Sequence, residues 1–263
     1  MKRIQDFARA RHDARPIVIV TAYDVLMARH AVAAGVDALL VGDSVAMVVH
    51  GHSSTVHATL EMMCLHTAAV RRGAPDHFII ADLPFLAARR GLPAAVDAAG
   101  ALLRAGATAV KLEGITGHAD VVAHLVGSGI PVMGHIGLTP QSHLQLGGHC
   151  MQGRSPGDAA RLHAEALALE AAGAFSLVIE CVPAALARDL TAAVAIPTIG
   201  IGAGAGTSGQ VLVLTDLLGL DPNFKPRFAR RYSDAAGEAV RVLQAFADDV
   251  RTGRFPGPEE TSA

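Results

Sequence analysis

Cysteine is scarce in this chain. Cys64, Cys150 and Cys181 are all it has, and no two of them are closely spaced. They offer no disulfide framework and suit a reducing cytosol. Neither sign of charge prevails: 22 Lys and Arg stand against 24 Asp and Glu, for a formal net charge of -2. There is accordingly no electrostatic case for nucleic acid or an anionic membrane as partner. Long apolar runs are missing as well. The longest uncharged stretch, residues 190–215, is broken by Pro197 and several glycines, so no membrane span is expected. The opening Met1-Lys2-Arg3-Ile4-Gln5-Asp6-Phe7 lacks a hydrophobic signal region. These absences point to a soluble, cytoplasmic, globular protein.

What the chain does have is apolar, alanine-rich material, 51% of 263 residues, enough for an ample core. An α/β barrel of about 200–250 residues folds as one unit, so a single large domain is expected. Apolar runs of strand length recur at 17–23, 38–43, 78–83, 109–114, 131–137, 177–182, 197–202 and 211–217. Helical patterns are expected over 4–11, 24–35, 59–72, 93–105, 118–127, 156–172, 183–194 and 234–250. Long loops are expected after the second and fifth strands. No composition break marks a second domain. Eight parallel strands separated by helices predict a single-domain (β/α)8 TIM barrel over residues 1–253, with a disordered tail at 254–263. An open doubly wound sheet more usually has five or six strands.

Three segments share a pattern in which Ala-Gly closes a helix, a buried strand follows, and an acid ends the strand. They end at Asp43, Glu113 and Glu180. The second carries Lys111 as well, two residues before Glu113 and therefore on the same face. Asp82 ends the third strand, and His135 lies on the fifth. In such barrels active sites occupy the carboxyl ends of the strands. Two carboxylates ~5 Å apart repel by roughly 3 kcal/mol at an effective dielectric near 20. Asp43, Asp82 and Glu113, from consecutive strands, therefore call for a cation beyond Lys111, and all-oxygen ligands favour magnesium. The bland alternative is that each acid caps the next helix or ends its strand in solvent.

Other signals are weaker. His50-Gly51-His52 with His57 hints at zinc but lacks a suitably spaced cysteine or acid, so these read as loop histidines. Gly200-Ile201-Gly202-Ala203-Gly204 fits a dinucleotide fingerprint formally, without its first-strand context. Its glycines suit a close backbone approach to a ligand. Cys181 reads as a packed thiol.

The chain resembles the ketopantoate hydroxymethyltransferase family from about residue 21 to 232. The resemblance rests on Thr21-Ala22-Tyr23-Asp24, Val41-Gly42-Asp43-Ser44, Ala81-Asp82-Leu83-Pro84-Phe85 and Val110-Lys111-Leu112-Glu113-Gly114. The most specific string is Gly134-His135-Ile136-Gly137-Leu138-Thr139-Pro140-Gln141-Ser142. Gly209-Gln210-Val211-Leu212 and Phe224-Lys225-Pro226-Arg227-Phe228 follow in order. The resemblance implies one magnesium ion per subunit at Asp43, Asp82 and Glu113. It implies a 2-oxo acid held by Asp43, Ser44, Asp82 and Lys111, with Glu180 as proton acceptor and His135 near the reacting carbon. It further implies 5,10-methylenetetrahydrofolate as one-carbon donor, 3-methyl-2-oxobutanoate as acceptor, 2-dehydropantoate as product, and a homo-oligomer, often a decamer.

Departures from the family pattern fall in loops: Ala46, Ser53, His57, Leu86-Ala87-Ala88, Ser208 and Thr215. They bear on substrate choice, folate affinity or assembly more than on the chemistry. Two alternatives stand beside this reading. One is a magnesium-dependent lyase or mutase of the phosphoenolpyruvate mutase/isocitrate lyase type, though its Lys-Lys-Cys-Gly-His pattern is absent. The other is a relative that binds a 2-oxo acid without turnover.

Overall fold

Strands of four to six residues alternate with helices in a computed structural model that describes residues 3–261. Helix α1 (Ile4–His12) precedes β1 (Ile17–Thr21), α2 (Val25–Ala33) and β2 (Ala38–Val41). Then come α3 (Val45–Val48), a 3-10 turn at Thr55–His57, α4 (Leu60–Gly73) and β3 (Ile79–Asp82). Next are α5 (Leu92–Arg104), β4 (Ala109–Glu113), α6 (Ala119–Gly127), β5 (Val132–Gly137) and a 3-10 turn at Pro140–Ser142. The order closes with α7 (Pro156–Ala171), β6 (Ser176–Glu180), α8 (Ala184–Ala193), β7 (Thr198–Ile201), β8 (Gly209–Leu212), α9 (Leu214–Leu218) and α10 (Ala235–Arg251).

Several helices start or stop where local chemistry requires. Asp24 caps α2 by accepting the Met27 N–H at 2.8 Å, and Thr59 caps α4 by accepting that of Met62 at 3.2 Å. Ser155 does the same for α7, whose first residue is Pro156. These acceptors satisfy N–H groups that have no partner within the helix. The Ala-Gly closure is visible after α5, where Gly106 takes φ +114°, a conformation open to glycine but costly for other residues.

Every strand pairs in parallel with its neighbour, and β8 returns to β1, so the sheet is a closed eight-stranded barrel. Alternate residues turn inward and form a continuous apolar core that includes Ile19, Leu40, Ile80, Met133, Val178 and Ile199. Helix α1 plugs the end where the strands begin. Phe7 is fully buried there, with its ring 5.0 Å from Phe78 and 5.2 Å from Phe175. Arg11 anchors the same helix by donating to the carbonyls of Thr191 (2.7 Å), Val194 and Ile196. With that end filled, the opposite end is left for chemistry.

The sequence pattern differs from the structure chiefly at its last strand. Residues 211–217 read as one apolar strand, but β8 spans Gly209–Leu212 and Leu214 opens α9. A short apolar run has no period that separates strand from helix. The loops expected after β2 and β5 contain α3 and the two 3-10 turns.

The chain divides into two compact units, Met1–Leu212 and Val213–Ala263. The first contains the complete barrel. In the second, α9 ends at Gly219, and Asp234 caps α10 by accepting the Gly237 N–H at 3.2 Å. Over 254–261, within the stretch expected to be a disordered tail, Arg254 Nε meets Asp249 Oδ1 at 2.7 Å and the Phe255 ring lies 5.2 Å from Phe246. Residues 262–263 of that stretch lie outside the described residues. Among the described residues, no helix is long and apolar enough to cross a membrane.

Candidate active site

Strand register decides which polar side chains meet. Asp82 lies opposite Lys111, Glu113 opposite His135, and Gly137 opposite Glu180. Because side chains alternate along a strand, Lys111 and Glu113 share the inner face of β4. Asp43 follows β2 in the turn into α3, and its backbone N–H donates to Asp82 Oδ2 at 3.0 Å. Asp43, Asp82, Lys111, Glu113 and His135 are all buried.

Lys111 Nζ stands 3.2 Å from Asp82 Oδ1 and 3.2 Å from His135 Nδ1. His135 Nδ1 also lies 3.6 Å from Glu113 Oε1, and its Nε2 lies 3.1 Å from Glu180 Oε2. That last pair is close enough for a charge interaction but off the line of a good hydrogen bond. Glu180 is the most accessible acid of the group, with its side chain 15% exposed against 3% for Asp82 and 4% for Glu113. Its backbone is fixed by Gly137, at φ +94°, where a Cβ would run into the Glu180 carbonyl oxygen. The same oxygen accepts the Leu138 N–H at 2.9 Å.

The electrostatics follow from crowding charges out of water. Burial pushes the Asp43 carboxyl well above the ordinary range, and Asp82 and Glu113 push it further. Burial also raises Asp82, with Lys111 and the Asp43 N–H opposing it. For Glu113 burial is outweighed by His135, Lys111 and the Gln141 N–H, which hold its carboxyl below the usual value. Burial disfavours a charge on Lys111, yet Asp82, Glu113 and Asp43 outweigh it and raise its pKa. Burial and Lys111 likewise oppose protonation of His135, but Glu113 and Glu180 prevail and push the imidazole up to about 9. Each shift has a named charge behind it.

All seven residues singled out in the sequence, Asp43, Ser44, Asp82, Lys111, Glu113, His135 and Glu180, belong to this one end of the barrel. Lys111, Asp82, His135, Glu113 and Glu180 form one contact chain. Ser44 stands slightly apart, with its Oγ 2.8 Å from the Tyr23 hydroxyl. The three acids do not converge by themselves. Among the described residues, no three His, Cys, Asp or Glu side chains are arranged to hold a metal ion. Gln141 lies between two of them: its Nε2 donates to Asp43 Oδ2 at 2.8 Å, and its backbone N–H donates to Glu113 Oε2 at 2.9 Å.

The donor set nevertheless fits a hard divalent cation. Asp82 Oδ1 and Glu113 Oε1 are buried and accept no hydrogen bond. Four carboxylates share the site with one lysine and one imidazole, which leaves negative charge in excess. Magnesium is commonly held by one or two carboxylates, with waters and substrate oxygens completing the shell. Asp43, Asp82 and Glu113 are the carboxylates that would supply the protein oxygens.

Tyr23 and Gln141 are the site residues that spacing alone does not reveal. Both fall within strings quoted for the family resemblance, but no period marks a loop residue that folds back over the barrel. The loop histidines make no three-ligand centre: His50 Nε2 pairs with His66 Nε2 at 2.8 Å, and His52 stacks on His57 with ring centres 4.9 Å apart. Cys181 is half-buried, and burial followed by the Glu180 charge pushes its thiol up to about 12.

Comparison with solved structures agrees on the fold. A 2,3-dimethylmalate lyase, a member of the PEP mutase/isocitrate lyase superfamily, superposes with a TM-score of 0.60 at 20% identity, covering 99% of this chain and 91% of the lyase. Phosphonopyruvate hydrolase in complex with oxalate and Mg++ gives 0.63 at 14% identity, covering 99% and 93%. At these identities the likeness is one of architecture. Sequence comparison is more specific. The 3-methyl-2-oxobutanoate hydroxymethyltransferase of Thermus thermophilus is 51% identical over 261 residues, covering 99% of both chains. The enzyme of the same name from Bdellovibrio bacteriovorus is 49% identical over 261 residues, again covering 99% of both. That of Moorella thermoacetica is 51% identical over 246 residues, covering 93% of this chain and 91% of its own. The family model described as ketopantoate hydroxymethyltransferase matches residues 1–258. With residues 1–258 matched by the family model and about half of its residues identical to these relatives over nearly its whole length, this chain belongs to the ketopantoate hydroxymethyltransferase family.

Proposed function

We propose that the protein transfers a hydroxymethyl group from 5,10-methylenetetrahydrofolate to 3-methyl-2-oxobutanoate, giving 2-dehydropantoate. The observation that carries this reading is one reachable carboxylate, Glu180, beside His135, above a buried lysine ringed by acids. A 2-oxo acid has a keto oxygen and a carboxylate that Lys111 and Ser44 would receive directly, and that Asp43 and Asp82 would meet through the cation they hold. A magnesium ion held at Asp43, Asp82 and Glu113, one per subunit, would polarise the keto group as a Lewis acid.

Glu180 takes the proton from C3 of the 2-oxo acid, and the electron pair moves toward the keto oxygen. Glu180 Oε2 faces His135 Nε2 at 3.1 Å, and this carboxylate, with its side chain 15% exposed, is the one open to receive the proton. Such general-base help is worth typically ~10²–10⁴ in rate. Lys111 places fixed positive charge near the developing oxyanion. The resulting carbon nucleophile forms a C–C bond to the folate-borne methylene as one of its two C–N bonds breaks. The second C–N bond is replaced by a bond to the oxygen of one water, which becomes the product hydroxyl. The proton taken by Glu180 and one water proton go to the two nitrogens, and tetrahydrofolate leaves.

The direct test is a mass-resolved assay of 3-methyl-2-oxobutanoate, methylenetetrahydrofolate and magnesium. Ketopantoate formation supports the reading. Its absence, with release of pyruvate or glyoxylate from a lyase substrate, favours a lyase like the fold neighbours. Binding of the 2-oxo acid without any product indicates a non-catalytic relative.

A homo-oligomer fits the second unit. Helix α10 carries Val242, Leu243, Phe246 and Val250 at helical spacing, all about half exposed or more, and none of its residues is buried within the chain. Light scattering gives the subunit count, for which a decamer is the expectation. Three free cysteines accord with a cytoplasmic location.

A further inference from the structure

Each of the three central carboxylates has one oxygen held by a neutral N–H donor. Asp82 Oδ2 accepts the Asp43 backbone N–H at 3.0 Å. Glu113 Oε2 accepts the Gln141 backbone N–H at 2.9 Å, and Asp43 Oδ2 accepts the Gln141 side-chain amide at 2.8 Å. Two of these three contacts come from one residue. The other amide hydrogen of Gln141 goes to the Leu83 carbonyl at 3.0 Å, just beyond β3. Gln141 therefore ties together the chain beyond β2, the chain beyond β3 and the end of β4, although it sits in the turn after β5.

The arrangement is selective about which oxygens it leaves. Among these carboxylates, Asp82 Oδ1 and Glu113 Oε1 are buried and accept no hydrogen bond, with Lys111 Nζ 3.2 Å from the first and His135 Nδ1 3.6 Å from the second. A carboxylate pinned through one oxygen cannot rotate freely, and the pin costs no charge because an amide is neutral. A lysine there would compete with a cation; a carboxylate would repel Asp43. A neutral side-chain amide on Asp43 and a neutral backbone N–H on Glu113 satisfy one oxygen of each acid and leave their charge available.

We propose that Gln141 is a positioning residue that orients Asp43, through its side chain, and Glu113, through its backbone, to receive the divalent cation. This rests on the metal assignment made above. Groups that orient metal ligands typically change affinity by about 10–100-fold when removed. The side chain and the backbone are separable, because substitution at Gln141 removes the contact to Asp43 and retains the N–H to Glu113.

The test compares Mn2+ affinity, read from the free-ion paramagnetic resonance signal, in the full-length parent, Gln141→Met and Gln141→Ala. Methionine keeps nearly the same volume and has no donor; alanine removes both. We expect Gln141→Met to bind Mn2+ about tenfold or more weakly, with unchanged circular dichroism and a similar midpoint of thermal unfolding. Exchange of the C3 hydrogen of 3-methyl-2-oxobutanoate in deuterated water should slow in parallel. Parent-like Mn2+ affinity in Gln141→Met overturns the proposal, and if Gln141→Ala alone is impaired, the residue acts by packing. Should alanine fail to fold, the methionine variant decides. A parent that makes ketopantoate but binds no Mn2+ overturns this inference and leaves the reaction standing. A parent that binds Mn2+ and makes no ketopantoate removes the reaction, while the affinity comparison still tests Gln141.

Discussion

His135 Nε2 stands 3.1 Å from Glu180 Oε2, across the seam between β5 and β6. The imidazole is fully enclosed, whereas the carboxylate is partly open to the barrel end. One partner is buried and the other reachable, which suits the proton-accepting role proposed for this carboxylate.

Glu180→Gln keeps the shape and removes the accepting charge. It is expected to lose roughly 10²–10⁴ in turnover while still binding Mn2+ and the 2-oxo acid. Hydrogen exchange at C3, followed by NMR, checks this without folate. Parent-like exchange would mean that another group is the base. Loss of exchange together with metal binding would make Glu180 a ligand or a structural residue.

His135→Asn places an amide nitrogen near the Nδ1 position and loses the contact to Glu180. His135→Gln instead reaches toward Nε2. The asparagine variant should slow C3 exchange by about tenfold or more, with the glutamine variant closer to the parent. Equal loss in both variants would indicate that the ring itself, or its charge, matters more than its support of Glu180.

Metal removal gives the third prediction. Exhaustive chelation should abolish ketopantoate formation, and added Mg2+ or Mn2+ should restore it. Asp82→Asn should weaken metal binding while leaving circular dichroism unchanged, because the apolar layers of the barrel do not involve that carboxylate. Full activity in metal-free protein would refute the assignment.

Thiol labelling separates Cys150 from Cys181. The Cys181 thiol, pushed up to about 12, presents only about one part in ten thousand as thiolate at pH 8. Cys150 is exposed. Iodoacetamide at pH 8 should therefore modify Cys150 first and spare Cys181, as read by peptide mass spectrometry. Early modification of Cys181 would show that the Glu180 end is more open than the structure allows.

Phe7→Ala empties the aromatic plug at the far end of the barrel. Large-to-small changes of this kind cost about 3–5 kcal/mol. Denaturant unfolding should show that loss, while the folded fraction retains near-parent C3 exchange. A large drop in exchange would couple the plug to the site across the core.

The barrel is legible in the sequence because each strand is a short apolar run followed by helix-start and helix-stop residues. Asp24 and Thr59 begin the helical patterns of α2 and α4, and the structure shows each as a capping acceptor, with Ser155 doing the same for α7 just before its expected start. The split of residues 211–217 between β8 and α9 is not legible, because an unbroken apolar run suits either element.

The sequence by itself determined that Lys111 and Glu113 share a face, since that follows from a two-residue period within one strand. It also placed Asp82, His135 and Glu180 at or near the ends of neighbouring strands. Only the tertiary structure decided that Lys111 meets both Asp82 and His135, that His135 backs Glu180, and that Gln141 returns from another loop to hold Asp43 and Glu113. The reason is physical. Periodicity fixes direction within an element, but distances between elements depend on strand register, barrel closure and loop path. Those are set by the packing of the whole chain.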